Sequence, residues 1–189
     1  MKRIVLSFVY IVCFMSLSMG QNHLRFKGVP MDGTIQQFAQ KLTQKGLTIV
    51  EKGNDNIILS GMFASYKDCV VGVIGDKQQH VAKVAVVFPD CDTWADLEKN
   101  YTNIKQMLTQ KYGEPTDVVE KFQASYIDND MSKMSALQLQ RCTYYSIFTT
   151  EEGSIQLELK SSDYKCYVIL SYFDNANQQQ VINDALEDL

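Results

Sequence analysis

Between a turn-forming Asp32-Gly33-Thr34 and Gly46, the apolar residues Ile35, Phe38, Ala39 and Leu42 recur at steps of three and four. That spacing predicts a short helix with one apolar face, capped at its start and stopped by glycine. Apolar runs over 47–50 and 57–63 flank the turn residues Gly53-Asn54-Asp55-Asn56 and read as a hairpin. A second hairpin, 69–74 and 81–88, folds around Gly75-Asp76-Lys77, and its near-continuous valines predict strands buried on both faces. Pro89 ends that run. Asp92 or Thr93 then caps the longest helix, in which Trp94, Leu97, Tyr101, Ile104 and Leu108 form one apolar stripe. Gly113 and Pro115 terminate it.

The second half predicts a strand from 118 to about 126, a polar stretch with a short helix over 132–140, and three strands over 142–149, 155–160 and 166–173. The middle one, Ile155-Gln156-Leu157-Glu158-Leu159, alternates cleanly and so has one wet face. Asn175 offers a cap for a last helix striped by Ile182, Ala185, Leu186 and Leu189. The fold class this implies is α+β: a largely antiparallel sheet with amphipathic helices packed mainly on one face. Each half reads as a meander followed by a helix, which divides the chain into 34–115 and 116–189 without a residue-level repeat between them.

The amino-terminal segment stands outside that pattern. Lys2 and Arg3 precede an apolar stretch from 4 to 17, and Ser18 and Gly20 lie three and one positions before Gln21. This three-part arrangement predicts a secretory signal peptide, residues 1–20, leaving a single domain over 21–189 in the periplasm or outside the cell. The apolar stretch is short for a membrane span, and Val12 before Cys13 does not fit a lipoprotein signal. The 189-residue chain carries a net charge of −4, and loss of Lys2 and Arg3 makes the mature form more acidic still. Its positive charges are scattered singly, so no basic surface for nucleic acid is expected.

Export changes the reading of the four cysteines that remain, Cys69, Cys91, Cys142 and Cys166. An even number in an oxidising compartment points to disulfides, and none of the spacings is that of a redox CxxC pair or a zinc knuckle. Cys69 and Cys91 flank one hairpin, which leaves Cys142 with Cys166; buried free thiols are the alternative.

Catalytic chemistry finds little to stand on. There are two histidines, His23 near the mature terminus and His80 at a hairpin tip, and neither sits in a hydrolase or metalloprotease motif. Asp128-Asn129-Asp130-Met131-Ser132 opens like a calcium loop, but Lys133 stands where the turn glycine belongs and Leu139 where a bidentate Glu belongs. Asp90 and Asp92 read as cap residues and Glu151-Glu152 as a wet turn. No catalytic residue, metal site or cofactor is therefore assigned. The positive feature is tyrosine: alternation places some rings of Tyr144, Tyr145 and Tyr167 on the face away from the helices, where they form a candidate binding platform.

Met31-Asp32-Gly33-Thr34-Ile35-Gln36-Gln37-Phe38, Lys45-Gly46-Leu47, Lys67-Asp68-Cys69 and Leu108-Thr109-Gln110-Lys111-Tyr112-Gly113-Glu114-Pro115 together resemble small exported proteins of the Bacteroides type, over residues 24 to 122. No activity attaches to that group, so the resemblance implies export and no site residue. Element order alone is also similar to small envelope-assembly and inhibitor domains. The sequence thus predicts a non-catalytic binding module that takes a macromolecule or small ligand of the cell envelope through its sheet face or the 127–141 segment. An envelope hydrolase using carboxylates distant in sequence and a structural envelope component are the alternatives.

Overall fold

The computed structural model describes residues 22–123, 129–179 and 182. The expected signal peptide, the end of the strand toward Tyr126, Asp128, and the last helix's Ala185, Leu186 and Leu189 lie outside the described residues.

A small hairpin of β1 (Arg25–Phe26) and β2 (Val29–Pro30) leads into α1 (Ile35–Thr43), followed by four strands: β3 (Thr48–Lys52), β4 (Asn56–Phe63), β5 (Tyr66–Gly75) and β6 (Val81–Val87). Then α2 (Trp94–Tyr112) is followed by β7 (Asp117–Phe122), a short α3 (Asp130–Gln138), β8 (Cys142–Thr149), β9 (Gly153–Ser162) and β10 (Lys165–Asp174). All eight strands from β3 onward join one antiparallel sheet in the order β3-β4-β5-β6-β10-β9-β8-β7. The last strand of each meander meets the other at the centre, where Val86 lies opposite Leu170. The topology therefore has the symmetry of a two-fold axis through the β6/β10 pair and normal to the sheet. Such an axis leaves both helices on the same face.

This changes the expected grouping of the elements. α1 lies on β3, β4 and β5, while α2 lies on β8, β9 and β10, so each helix packs on the strands that follow it. A division at Tyr112–Pro115 separates α2 from its own strands.

The helices begin where side chains replace missing backbone partners. Thr34 accepts from the Gln37 N–H while Gln37 returns a bond to the Thr34 backbone, and Thr93, not Asp92, accepts from the Asp96 N–H. Asn129 and Ser132 cap α3 reciprocally, so the segment that opened like a calcium loop is a helix start. At residues 175–179 the cap is Asp174, whose Oδ1 accepts from the Asn177 N–H at 2.9 Å, in place of the expected Asn175.

Between helices and sheet the core is nearly closed. Ile35, Phe38, Ala39 and Leu42 of α1 and Trp94, Leu97, Tyr101, Ile104 and Leu108 of α2 are buried. They meet Ile57, Leu59, Val71, Val73, Val84, Val86, Leu157, Val168 and Leu170, also buried, on alternate strand positions. Each such side chain stabilises by about 1.5–3 kcal/mol relative to exposure. Phe26 stacks on Phe63 with centroids 5.2 Å apart and meets the edge of Tyr172, which seats the amino-terminal hairpin on the same layer. The buried Asp174 carboxylate also accepts the Leu24 N–H at 2.6 Å, so the start of the described chain is fastened to its end.

Candidate interaction surface

Period-two alternation assigns every strand residue to one of two faces. The face opposite the helices carries Ile58 on β4, Val70, Gly72 and Ile74 on β5, Lys83, Ala85 and Val87 on β6, and Ile169, Ser171 and Phe173 on β10. Register aligns these in rows across the strands. Gly72 lies opposite Ala85, and Ala85 opposite Ser171. On one side of that row Val70, Val87 and Ile169 stand in line; on the other, Ile74, Lys83 and Phe173 do. The small residues make a floor and the larger ones two walls, with the Lys83 ammonium 4.9 Å from the centre of the Phe173 ring. Walls two residues to either side of the floor lie about 13 Å apart at a rise near 3.3 Å per residue. The result is a trough crossing the three central strands.

The valine-rich hairpin is buried on one face, not on both as its composition predicts. Val71, Val73, Val84 and Val86 face the helices and are buried, whereas Val70 is 42% exposed and Val87 only partly buried. Valine on both sides of a strand is the composition of a sheet covered on both faces, and among the described residues nothing lies over the second one.

The three candidate tyrosines do not form one platform. Tyr144 points to the helix side, its ring 5.3 Å from Trp94 and 5.8 Å from Tyr101. Burial there, with Glu98 and Glu120 nearby, pushes its phenol up to about 12. Tyr145 and Tyr167 do share the uncovered face, but β9 separates their strands. Tyr145 lies opposite Glu158 and Tyr167 opposite Lys160, and those two form an ion pair at 3.0 Å between the rings. The Tyr145 hydroxyl donates to Asp117 at 2.9 Å, a bond that raises its pKa. Tyr167 lines a hollow of about 340 Å³ with Val70, Val87, Pro89 and Lys165, continuous with one trough wall. Sequence alternation separated the faces correctly for each strand but not which adjacent tyrosine pointed out, because that depends on β8 pairing with β9.

β8 and β9 also part company. Their register runs from Thr149 opposite Ser154 to Tyr145 opposite Glu158 and stops there, although both strands continue. A cavity of about 310 Å³ opens at the fork beneath α3, lined among others by Leu137, Gln140, Cys142, Tyr144 and Leu159. This is where the 127–141 segment contributes: α3 closes the fork on the helix side.

All four cysteines, Cys69, Cys91, Cys142 and Cys166, are free thiols. Burial is the leading cause that raises each of them, Cys142 to about 12, so none is poised as a thiolate nucleophile or metal ligand. The expected pairings differ in how far the fold prepares them. Cys69 lies opposite Gly61, away from Cys91, whereas Cys142 lies where β8 has left β9 and is close enough to Cys166 for that thiol to raise its cost of ionising. Cys91 instead faces Cys166 across an isolated bridge, a relation that no sequence separation announces.

His23 bonds to the buried Asp174 through Nδ1 at 3.1 Å, and His80 lies 3.6 Å from Asp76 in its own turn. Among the described residues no three His, Cys, Asp or Glu side chains converge in a way that holds a metal ion. No described helix is long and apolar enough to cross a membrane. No family profile, curated protein or solved structure matches the chain.

Proposed function

We propose that this is an exported, non-catalytic binding protein whose uncovered sheet face docks a protein partner of the cell envelope through an apolar helix. The observation that carries the reading is the trough: a floor of Gly72, Ala85 and Ser171 between walls built from Val70, Val87 and Ile169 on one side and Ile74 and Phe173 on the other. Its backbone spacing of about 13 Å, narrowed by the wall side chains, admits one apolar face of a helix rather than a whole helix of about 10–12 Å. Contiguous exposed apolar surface with a polar rim is the mark of an interaction site; here Glu158 and Lys160 supply the rim, and Lys83 is a cation set within one wall beside Phe173. Antiparallel sheets with one free face ordinarily show a polar exterior, so apolar side chains in the middle of that face support a cover supplied by another molecule.

The test uses the mature protein as bait on envelope extract, beside a Val70→Lys/Ile169→Lys variant and a Lys45→Glu control on the α1 side. A specific protein retained by wild type and control and lost by the trough variant is the expected result, and mapping should place a helical segment of that protein in the trough. Equal retention by the trough variant would overturn the reading, as would a partner that maps to the helix side.

A further inference from the structure

The two-residue turn joining β4 to β5 consists of Ala64 and Ser65, both in the left-handed region at φ 48° and 70°. Tight hairpins of this kind favour Asn-Gly, because side chains with a Cβ are strained there. Strain of this sort persists where the surrounding structure enforces it, and such positions cluster at binding sites. The turn faces the outer side of α2, and between them lies a cleft of about 430 Å³. From α2 it receives Asn103, Gln106, Met107 and Gln110, residues spaced to share one helix face next to, but distinct from, the buried stripe. From the hairpin it receives Ser65 and Tyr66.

Three properties of this cleft limit what it can hold. No charged side chain lines it, so a phosphate, carboxylate or ammonium group would find hydrogen bonds there but no ion pair. The side chains of Asn103, Gln106 and Gln110 make no hydrogen bond to any other described residue, which leaves three carbonyl acceptors and three amino groups available. Met107, 40% exposed, and Tyr66 add apolar surface beside them. A ligand matching this set is neutral, carries several groups that both donate and accept, and has apolar patches between them. Hydroxyls attached to C–H faces are that combination. The hollow is open to solvent over much of its boundary and Asn103, Gln106 and Gln110 are exposed, so a sugar lies along it and keeps one side in water.

We propose that the cleft between α2 and the Ala64-Ser65 turn is a binding site for a neutral carbohydrate of one or two sugar units. Asn103, Gln106 and Gln110 hold its hydroxyls, and Met107 and Tyr66 pack on its C–H surface. The site shares no lining residue with the trough, so its occupancy is independent of the docking proposed there.

The experiment is a titration of isotopically labelled mature protein, followed by NMR, with maltose, cellobiose, galactose and N-acetylglucosamine as neutral probes and glucuronate as the charged comparator. At least one neutral sugar should shift the side-chain amide signals of Asn103, Gln106 and Gln110. Those of Gln36, which is already bonded to Gln79 at 2.9 Å, should stay in place. Gln106→Ala and Gln110→Ala should each weaken that sugar by about tenfold, the worth of one lost polar contact, while Gln36→Ala leaves it unchanged. Alanine at these exposed helical positions preserves the fold, so loss of binding reads the site itself. Failure of all four neutral sugars to move the three amide signals, shifts confined to another part of the molecule, preference for glucuronate, or full affinity in both glutamine variants would each overturn the proposal.

Discussion

Cys91 and Cys166 stand directly opposite one another in an isolated antiparallel bridge beyond the end of β6, with the Cys91 N–H donating to the Cys166 carbonyl at 2.8 Å. Hydrogen-bonded pairs of this kind hold their Cα atoms about 5.5 Å apart, inside the range a disulfide requires. The Cys91 sulfur meanwhile accepts from the Asn100 side chain at 3.3 Å.

When the reduced protein is oxidised with glutathione disulfide, the first internal bridge should therefore join Cys91 to Cys166, with two glutathione thiols released. Non-reducing peptide mapping reads the connectivity directly. The bridge should raise the urea-derived stability by about 2–4 kcal/mol, because it closes a long loop. A first bridge between Cys69 and Cys91, or between Cys142 and Cys166, would show that the β-bridge does not govern oxidation.

The adjacent tyrosines of β8 should separate sharply under truncation. Tyr144→Ala removes a ring packed against Trp94, Tyr101 and Phe122 and should cost about 3–5 kcal/mol, the usual range for a buried aromatic. Tyr145→Ala and Tyr167→Ala, on the uncovered face, should each cost about 1 kcal/mol or less. Urea midpoints decide the matter, and equal losses at Tyr144 and Tyr145 would contradict the assignment of their faces.

Burial of Tyr144 has a consequence in base. Its folded pKa of about 12 exceeds the unfolded value near 10, so its contribution is fully present below about pH 10 and is lost as pH rises through about 12. Tyr101 and Tyr172 are raised further by burial and act in the same direction. Denaturant midpoints should fall across this window. The fall should be smaller in Tyr144→Phe, which has no phenol to ionise; an identical pH profile in that variant would refute the burial argument.

Much of this architecture is legible in the chain because local signals and burial agree. The α2 stripe, the Gly113 stop and the β8 span are read directly from spacing. What escapes such reading depends on partners remote in sequence. β6 finds β10, which brings Gly72, Ala85 and Ser171 into one row, and no local pattern announces that three small residues on three strands will align. The valine runs misled for a related reason: composition reports that both faces are apolar, while coverage depends on where the helices go. Symmetric placement of α1 and α2 sends both to one side. Nothing local marks the role of His23, because its partner Asp174 lies 151 positions away.

The strained turn offers a simple stability gain. Replacing Ala64-Ser65 by Asn-Gly keeps the hairpin geometry that β4 and β5 already adopt, removes the Cβ conflict at position 65 and puts at 64 a residue that tolerates the left-handed region. An increase of about 1–2 kcal/mol in unfolding free energy is expected. No gain would mean that the turn is not held in that conformation.

Asp174 ties residues 23–24 to the end of β10 and the turn of helix that follows it, and its removal should be felt on both sides. The carboxylate is fully buried and accepts from the Leu24 N–H at 2.6 Å, the Asn177 N–H at 2.9 Å and His23 Nδ1 at 3.1 Å. Asn177 in turn donates its side-chain amide to the Met31 carbonyl at 2.7 Å, so one node holds the amino-terminal hairpin and the start of the last helix. Asp174→Ala leaves the buried Leu24 N–H without a partner, at a cost of about 1–3 kcal/mol, and uncaps the part-buried Asn177 N–H, at about 1 kcal/mol. Asp174→Asn keeps one acceptor but turns an amino group toward a donor, and should fall between that variant and wild type. His23→Ala should cost far less, because the ring is 19% exposed and only one of the three donors is lost. Limited proteolysis should then cut Asp174→Ala first within residues 22–31, ahead of global unfolding, since Phe26 loses the anchor that seats it against Phe63 and Tyr172. An unchanged urea midpoint together with an uncut amino terminus would show that the aromatic contacts suffice without the carboxylate.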